Sequence, residues 1–330
     1  MVSLLKKTAA VAVLALGASV AAAQQDIKID GSSTVYPITE AVAEEFQKEN
    51  TGTKVTVGVS GTGGGFKKFV RGETDISNAS RPIKSGEMEE AKKAGIEYLE
   101  IPVAFDALTV VINPSNDWVK ELTVEDLKKM WSPDAQGKVT TWNQIRPEWP
   151  NVPLKLYGPG GDSGTFEYFT EAVVGKAKSS RGDYTASEDD NILVQGVSGD
   201  KGALGYFGYA YFAENKDKLK AVPIVNKAGK AIEPSPAAVK EGSYNPLARP
   251  IFIYVNARSM KDKPAIKTFT DYYLKNAEDL VKEVKYVPLP AEAYDALVKR
   301  VDSGKTGTVF GGKEQVGMTI DELLTAELKQ

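Results

Sequence analysis

Two rhythms of apolar positions alternate along this chain. Short runs rich in β-branched residues, Ile27-Lys28-Ile29-Asp30, Lys54 to Val59 and Leu154 to Tyr157, predict strands. Each leads into a stretch of Gly, Ser and Thr. Each stretch then opens a segment with helical spacing: Ile38, Ala41, Val42 and Phe46 in the first, Phe66, Phe69 and Val70 in the second, Phe166, Phe169 and Val173 in the third. Pro37 suits a first helical turn. Repeated strand–turn–helix units predict an α/β fold with parallel sheets and βαβ crossovers. In such sheets ligands sit beyond the carboxyl ends of the strands, at the turns that open the helices.

Two longer apolar runs, Val103 to Ile112 and Pro250 to Val255, read as extended strands. About 140 residues separate them, enough for a whole domain. The pattern predicts one domain inserted into another. Residues 24–106 and 255–330 form the discontinuous domain and 107–254 the insert, with two strands crossing between them. The C-terminal part predicts helices over Pro264 to Leu274, Ala277 to Val284 and Ala291 to Val301.

The first 23 residues stand apart. Lys6 and Lys7 precede an apolar run from Thr8 to Val20, and Ala21-Ala22-Ala23 offers small residues for cleavage. This is the pattern of a secretory signal peptide, and the run is too short for a membrane span. Its removal takes two lysines and no acid, leaving 39 basic against 44 acidic side chains. So near-neutral a balance argues against nucleic-acid binding. The chain has no cysteine and no histidine. No disulfide, lipid-bearing cysteine, Ser-His-Asp triad or His/Cys zinc site can be built from it. A freely diffusing, monomeric periplasmic protein without metal or cofactor is expected.

The chemistry lies in the Gly/Ser/Thr turns. A helix N-terminus offers unpaired N–H groups and the positive end of its dipole, hence a place for an anion. Hydroxyls add rotatable donors. Ser33 and Thr34, Ser60 and Thr62, and Asp162-Ser163-Gly164-Thr165 stand at three such turns. One turn alone is no more than an ordinary N-cap. Arg81, held extended by Pro82, is either a surface residue or a clamp for two oxygens. The Glu188-Asp189-Asp190 cluster reads as a solvated loop. Tyr206, Phe207, Tyr209, Tyr211 and Phe212 read as core.

Four motifs, in order, are similar to those of the periplasmic phosphate-binding proteins of bacterial ABC importers. They are Asp30-Gly31-Ser32-Ser33-Thr34-Val35-Tyr36-Pro37, Ser60 to Phe66, Asn78-Ala79-Ser80-Arg81-Pro82 and Asp162 to Phe166. Tyr244-Asn245-Pro246-Leu247-Ala248-Arg249-Pro250 also resembles that family. The resemblance implies a hinged type II periplasmic-binding fold. It also implies that a dehydrated phosphate is held by N–H groups, hydroxyls, one Arg and one Asp, and passed to a membrane permease.

Pro159 and Gly161 stand where the better-known branch carries Arg and Asp. The expectation is therefore that Arg81 supplies the cation and Asp162 the carboxylate that accepts the ligand proton. The expected site is Ser33, Thr34, Ser60, Thr62, Arg81, Asp162, Ser163, Gly164 and Thr165. Sulfate or another oxyanion is the alternative ligand. An exported phosphatase acting through Ser163 is the alternative class, disfavoured by the missing histidine.

Overall fold

A computed structural model describes residues 25–313 and 315–329. The signal-peptide reading of residues 1–23 lies outside them. In chain order the elements are β1 (Gln25–Gly31), α1 (Tyr36–Glu49), β2 (Thr53–Val59), α2 (Gly61–Phe69), β3 (Ile76–Ala79), α3 (Ser85–Lys93) and β4 (Tyr98–Ile112). Then follow α4 (Val124–Trp131), β5 (Lys155–Pro159), α5 (Gly164–Val174), β6 (Thr185–Ser187), α6 (Asp190–Ser198), β7 (Ala203–Gly208) and α7 (Tyr209–Glu214). Short β8 (Lys220–Ala221), β9 (Ile224–Val225), β10 (Ala231–Ile232) and α8 (Pro236–Lys240) precede β11 (Ala248–Asn256). The chain ends in α9 (Ala257–Asp262), α10 (Pro264–Glu283), α11 (Ala291–Ser303) and α12 (Ile320–Leu328).

β4 builds both halves of the molecule. All 15 of its residues are buried, which explains a run that is apolar but for Glu100, Asp106 and Thr109. Its first part, Tyr98 to Ala107, pairs antiparallel with β11, and its last part, Leu108 to Ile112, with β7. The strand order β2-β1-β3-β11-β4-β7-β5-β6 is therefore two sheets sharing one strand. In the first sheet β1 runs parallel to β2 and β3, and in the second β5 runs parallel to β6 and β7. This is the two-lobed α/β architecture that the strand–turn–helix units predict. β11, placed in the insert as far as residue 254 by the sequence reading, pairs along its length with β4 and with β3.

One apolar cluster runs through both lobes. In the first, Ile38, Val42 and Phe46 of α1 are buried, and Phe46 meets Phe269 edge to face with centroids 5.2 Å apart. In the second, Trp131 packs edge-on against Phe169 and Tyr206 at 5.6 and 4.9 Å. Tyr206, Phe207, Tyr209 and Tyr211 are buried, in keeping with their reading as core. Two elements differ from expectation. β4 starts at Tyr98 rather than Val103, because Pro102, which cannot donate to a ladder, sits where the register to β11 shifts. The two helices expected over 264–274 and 277–284 are the single α10. Leu274, Ala277, Leu280 and Val281 continue one buried face, and Asn276 donates from Nδ2 to the Tyr272 carbonyl at 2.9 Å.

Candidate anion-binding site

The carboxyl ends of β1, β2 and β3 from one lobe meet those of β5 and β6 from the other. The backbones come close because glycine stands at the meeting points. Gly31 ends β1 at φ 144°, and a Cβ there would lie 2.1 Å from the Asn78 carbonyl of β3. Gly164 opens α5 against the first lobe; a Cβ there would lie 2.5 Å from Thr62 Oγ1 and 2.6 Å from Ser80 Oγ.

Around Gly164 the hydroxyls form two pairs, joined through Arg249. Thr62 Oγ1 lies 3.1 Å from Ser80 Oγ and accepts from the Ser80 amide at 3.1 Å. Thr34 Oγ1 lies 2.9 Å from Thr165 Oγ1, joining the lobes. Thr165 in turn accepts from Arg249 Nη2 at 2.6 Å. Thr34, Thr62, Ser80 and Thr165 are all at most 2% exposed. α2 and α5 begin beside this group and turn the positive ends of their dipoles to it, while the Gly63 amide donates to the Asp162 carbonyl and the Thr165 and Phe166 amides to Ser163 Oγ.

The cation at this group is Arg249, on β11. It is 1% exposed, donates to the carbonyls of Ser80 and Gly164 at 2.9 and 3.3 Å, and pairs with Asp106 at 3.1 Å. Asp106, on β4, is fully buried and also accepts from the Tyr209 amide at 3.1 Å. Burial pushes its carboxyl up, against the pull of Arg249 and that amide. The second acid is Asp190, at the start of α6 and 1% exposed. Ser33 Oγ donates to it at 3.3 Å. Burial pushes Asp190 to about 8; the Ser33 bond pulls it down and the Asp106 charge adds to the rise.

Four expected residues face other partners. Arg81 is buried, but Glu87 takes its guanidinium at 2.7 and 2.8 Å and Glu167 lies at 3.1 Å, so both of its faces are filled by protein acids. Asp162 points outward and pairs with Lys67 at 2.8 Å, both partly exposed. Ser60 Oγ donates to Asp30, away from the hydroxyl group. Ser163 is the N-cap of α5, accepting from the Thr165 and Phe166 amides at 3.1 and 3.3 Å. Ser33, Thr34, Thr62, Gly164 and Thr165 do come together. The reading of Glu188 to Asp190 as a solvated loop is corrected: Asp189 caps α6 and Asp190 is buried beside Ser33.

Sequence reasoning missed Arg249, Asp106, Asp190 and Ser80. Arg249 is the one charge in β11, and Asp106 is one of two acids, with Glu100, in the buried β4. A charge in a strand buried on both faces needs a partner, and that signal could have paired them.

Two lobes that share β4, with polar side chains facing each other across the seam, make the architecture of a solute-binding protein. A family model described as a PBP superfamily domain matches residues 17–277, and the chain belongs to this superfamily. Among its relatives, protein SphX of Synechococcus elongatus is 58% identical over 301 residues, covering 91% of this chain and 88% of that one. The phosphate-binding protein PstS of Staphylococcus saprophyticus is 41% identical over 279 residues, covering 84% of each. A Clostridium perfringens protein crystallised with bound phosphate is 26% identical, with a TM-score of 0.68, covering 80% of this chain and 100% of that one. The Staphylococcus and Clostridium relatives are binding proteins by name.

Proposed function

We propose that this protein captures inorganic phosphate between its lobes and delivers it to the membrane permease of an ABC importer. The observation that carries the reading is the single buried group in which Thr34, Thr62 and Ser80 of one lobe meet Thr165 and Gly164 of the other beside Arg249. An oxyanion there takes hydroxyl and amide donors from both sides and lies near a cation already held by Asp106. Only the closed arrangement brings both sets of donors together, so the ligand favours closure. The lobes thus act as two hinged domains, residues 25–107 with 248–329 and residues 108–247. Asp190, beside Ser33, is the carboxyl that reads a proton on the ligand. The protein works as an exported monomer in the periplasm, and among the described residues no helix is long and apolar enough to cross a membrane. Calorimetry of the protein against phosphate and sulfate tests the reading. Phosphate should bind more tightly, and absence of phosphate binding by a folded protein overturns it.

A further inference from the structure

Arg81 has no place in the ligand site, yet the fold holds it with care. Pro82 keeps it extended after β3. Its guanidinium donates to the Pro82 carbonyl at 2.9 Å, takes both Glu87 oxygens and lies over the Phe66 ring, 5.4 Å from its centroid. So oriented, it faces Glu167 of α5, across the seam, at 3.1 and 3.3 Å. The Glu167 side chain is 1% exposed and also meets Lys84, from the first lobe, and Lys178, from its own lobe at 3.3 Å. Beside them Asp162 of the second lobe takes Lys67 Nζ at 2.8 Å, and its carbonyl takes the Gly63 amide at 2.6 Å. These residues line one crevice of about 380 Å³ on the flank of the seam.

We infer that this cluster is a closure latch: Arg81 and Lys84 of the first lobe engage Glu167 of the second and hold the lobes together without touching the ligand. The inference rests on the hinged-closure reading. In an open molecule Glu167 keeps only Lys178, and its carboxylate, Arg81 and Lys84 regain water. Closing exchanges that hydration for two interlobe ion pairs. For buried pairs the two terms nearly balance, so the latch adjusts the closed population and the ligand sets it. The Lys84 side chain is 35% exposed, which makes its share sensitive to salt.

The test compares wild type with Lys84→Met, Lys84→Arg and Lys178→Met by stopped-flow release of phosphate into a phosphate trap, at low and high ionic strength. Scattering with and without phosphate is recorded for each. Lys84→Met should release phosphate roughly fivefold faster at low salt, a small coupling of the usual size, with the association rate unchanged and the gap narrowing at high salt. Lys84→Arg should restore slow release. Lys178→Met, whose contact lies within one lobe, should release like wild type. Wild-type release from Lys84→Met at low salt, in a protein that still contracts on phosphate, overturns the latch. So does equal acceleration by Lys178→Met. If wild type itself does not contract, the closure reading fails first and the latch falls with it.

Discussion

A hydroxyl that meets an anion and one that caps a helix are the same atoms in a sequence; only their partners separate them. Thr62 and Thr165 face each other's neighbourhood across the seam, through Ser80 and Thr34. Thr62→Ala and Thr165→Ala should each weaken phosphate binding by roughly 1.5–3 kcal/mol, the worth of a hydrogen bond to a charged group, with the unfolding transition nearly unmoved. Titration calorimetry beside thermal melts checks both, and unchanged affinity removes that hydroxyl from the site. Asp190 gives a pH prediction. Its carboxyl is raised from an ordinary 3.8 to about 8, so below that pH it carries a proton it can donate. Phosphate brings a proton of its own, whereas sulfate does not. As pH rises through about 8, the ionised Asp190 repels sulfate while phosphate still bridges to it. The phosphate-to-sulfate affinity ratio should therefore rise over that range, and Asp190→Asn should flatten the rise. A flat ratio in wild type would falsify the role of Asp190.

At the scale of elements, the turns were legible and the strand-borne charges were not. Gly-Ser-Thr stretches after β1, β2 and β5 announce helix N-termini by composition alone, and all three open helices. What composition cannot tell is which way each side chain faces at the end of its strand. Ser60 turns to Asp30 and Ser163 to its own helix, while Thr62 and Thr165 turn to the seam. Arg81 and Arg249 each precede a proline, and only the pairing of β11 with β4 brings Arg249, and not Arg81, to the hydroxyl group. Pro159 in place of an arginine says nothing of where a cation lies; the pairing of β11 with β4 puts Arg249 beside Thr165. Ser163 supplies the prediction here. Its Oγ accepts from two first-turn amides, so Ser163→Ala should cost about 1 kcal/mol of stability, the worth of an N-cap. Chemical denaturation reads this directly, and a variant as stable as wild type would mean the cap contributes nothing.

At the scale of the whole molecule, the sequence predicts two lobes from the spacing of two long strands, and which sheet each strand serves is decided by pairing, not hydropathy: β11 lies beside the first part of β4 throughout. The lobes touch through donors that no single lobe could present. Scattering should show a smaller radius of gyration when phosphate is added, and an unchanged profile at saturation would count against hinged closure.

The strand shared by both sheets also orders the protein's assembly in time. The second lobe takes its β4 segment, β5, β6 and β7 from one continuous run of chain, so its most distant partners, Leu108 and Gly208, lie nearer each other in sequence than Ala79 and Phe252 do. The first lobe cannot finish its sheet until β11 arrives: Ala79 pairs with Phe252, with the entire second lobe strung between them. Closing so long a loop is slow. A chain emerging in order from its N-terminus should thus complete its middle before its beginning. Pulse-labelled hydrogen exchange during refolding should protect β5 and β7 before β3. Earlier protection of β3 would mean that β1, β2 and β3 hold together without β11.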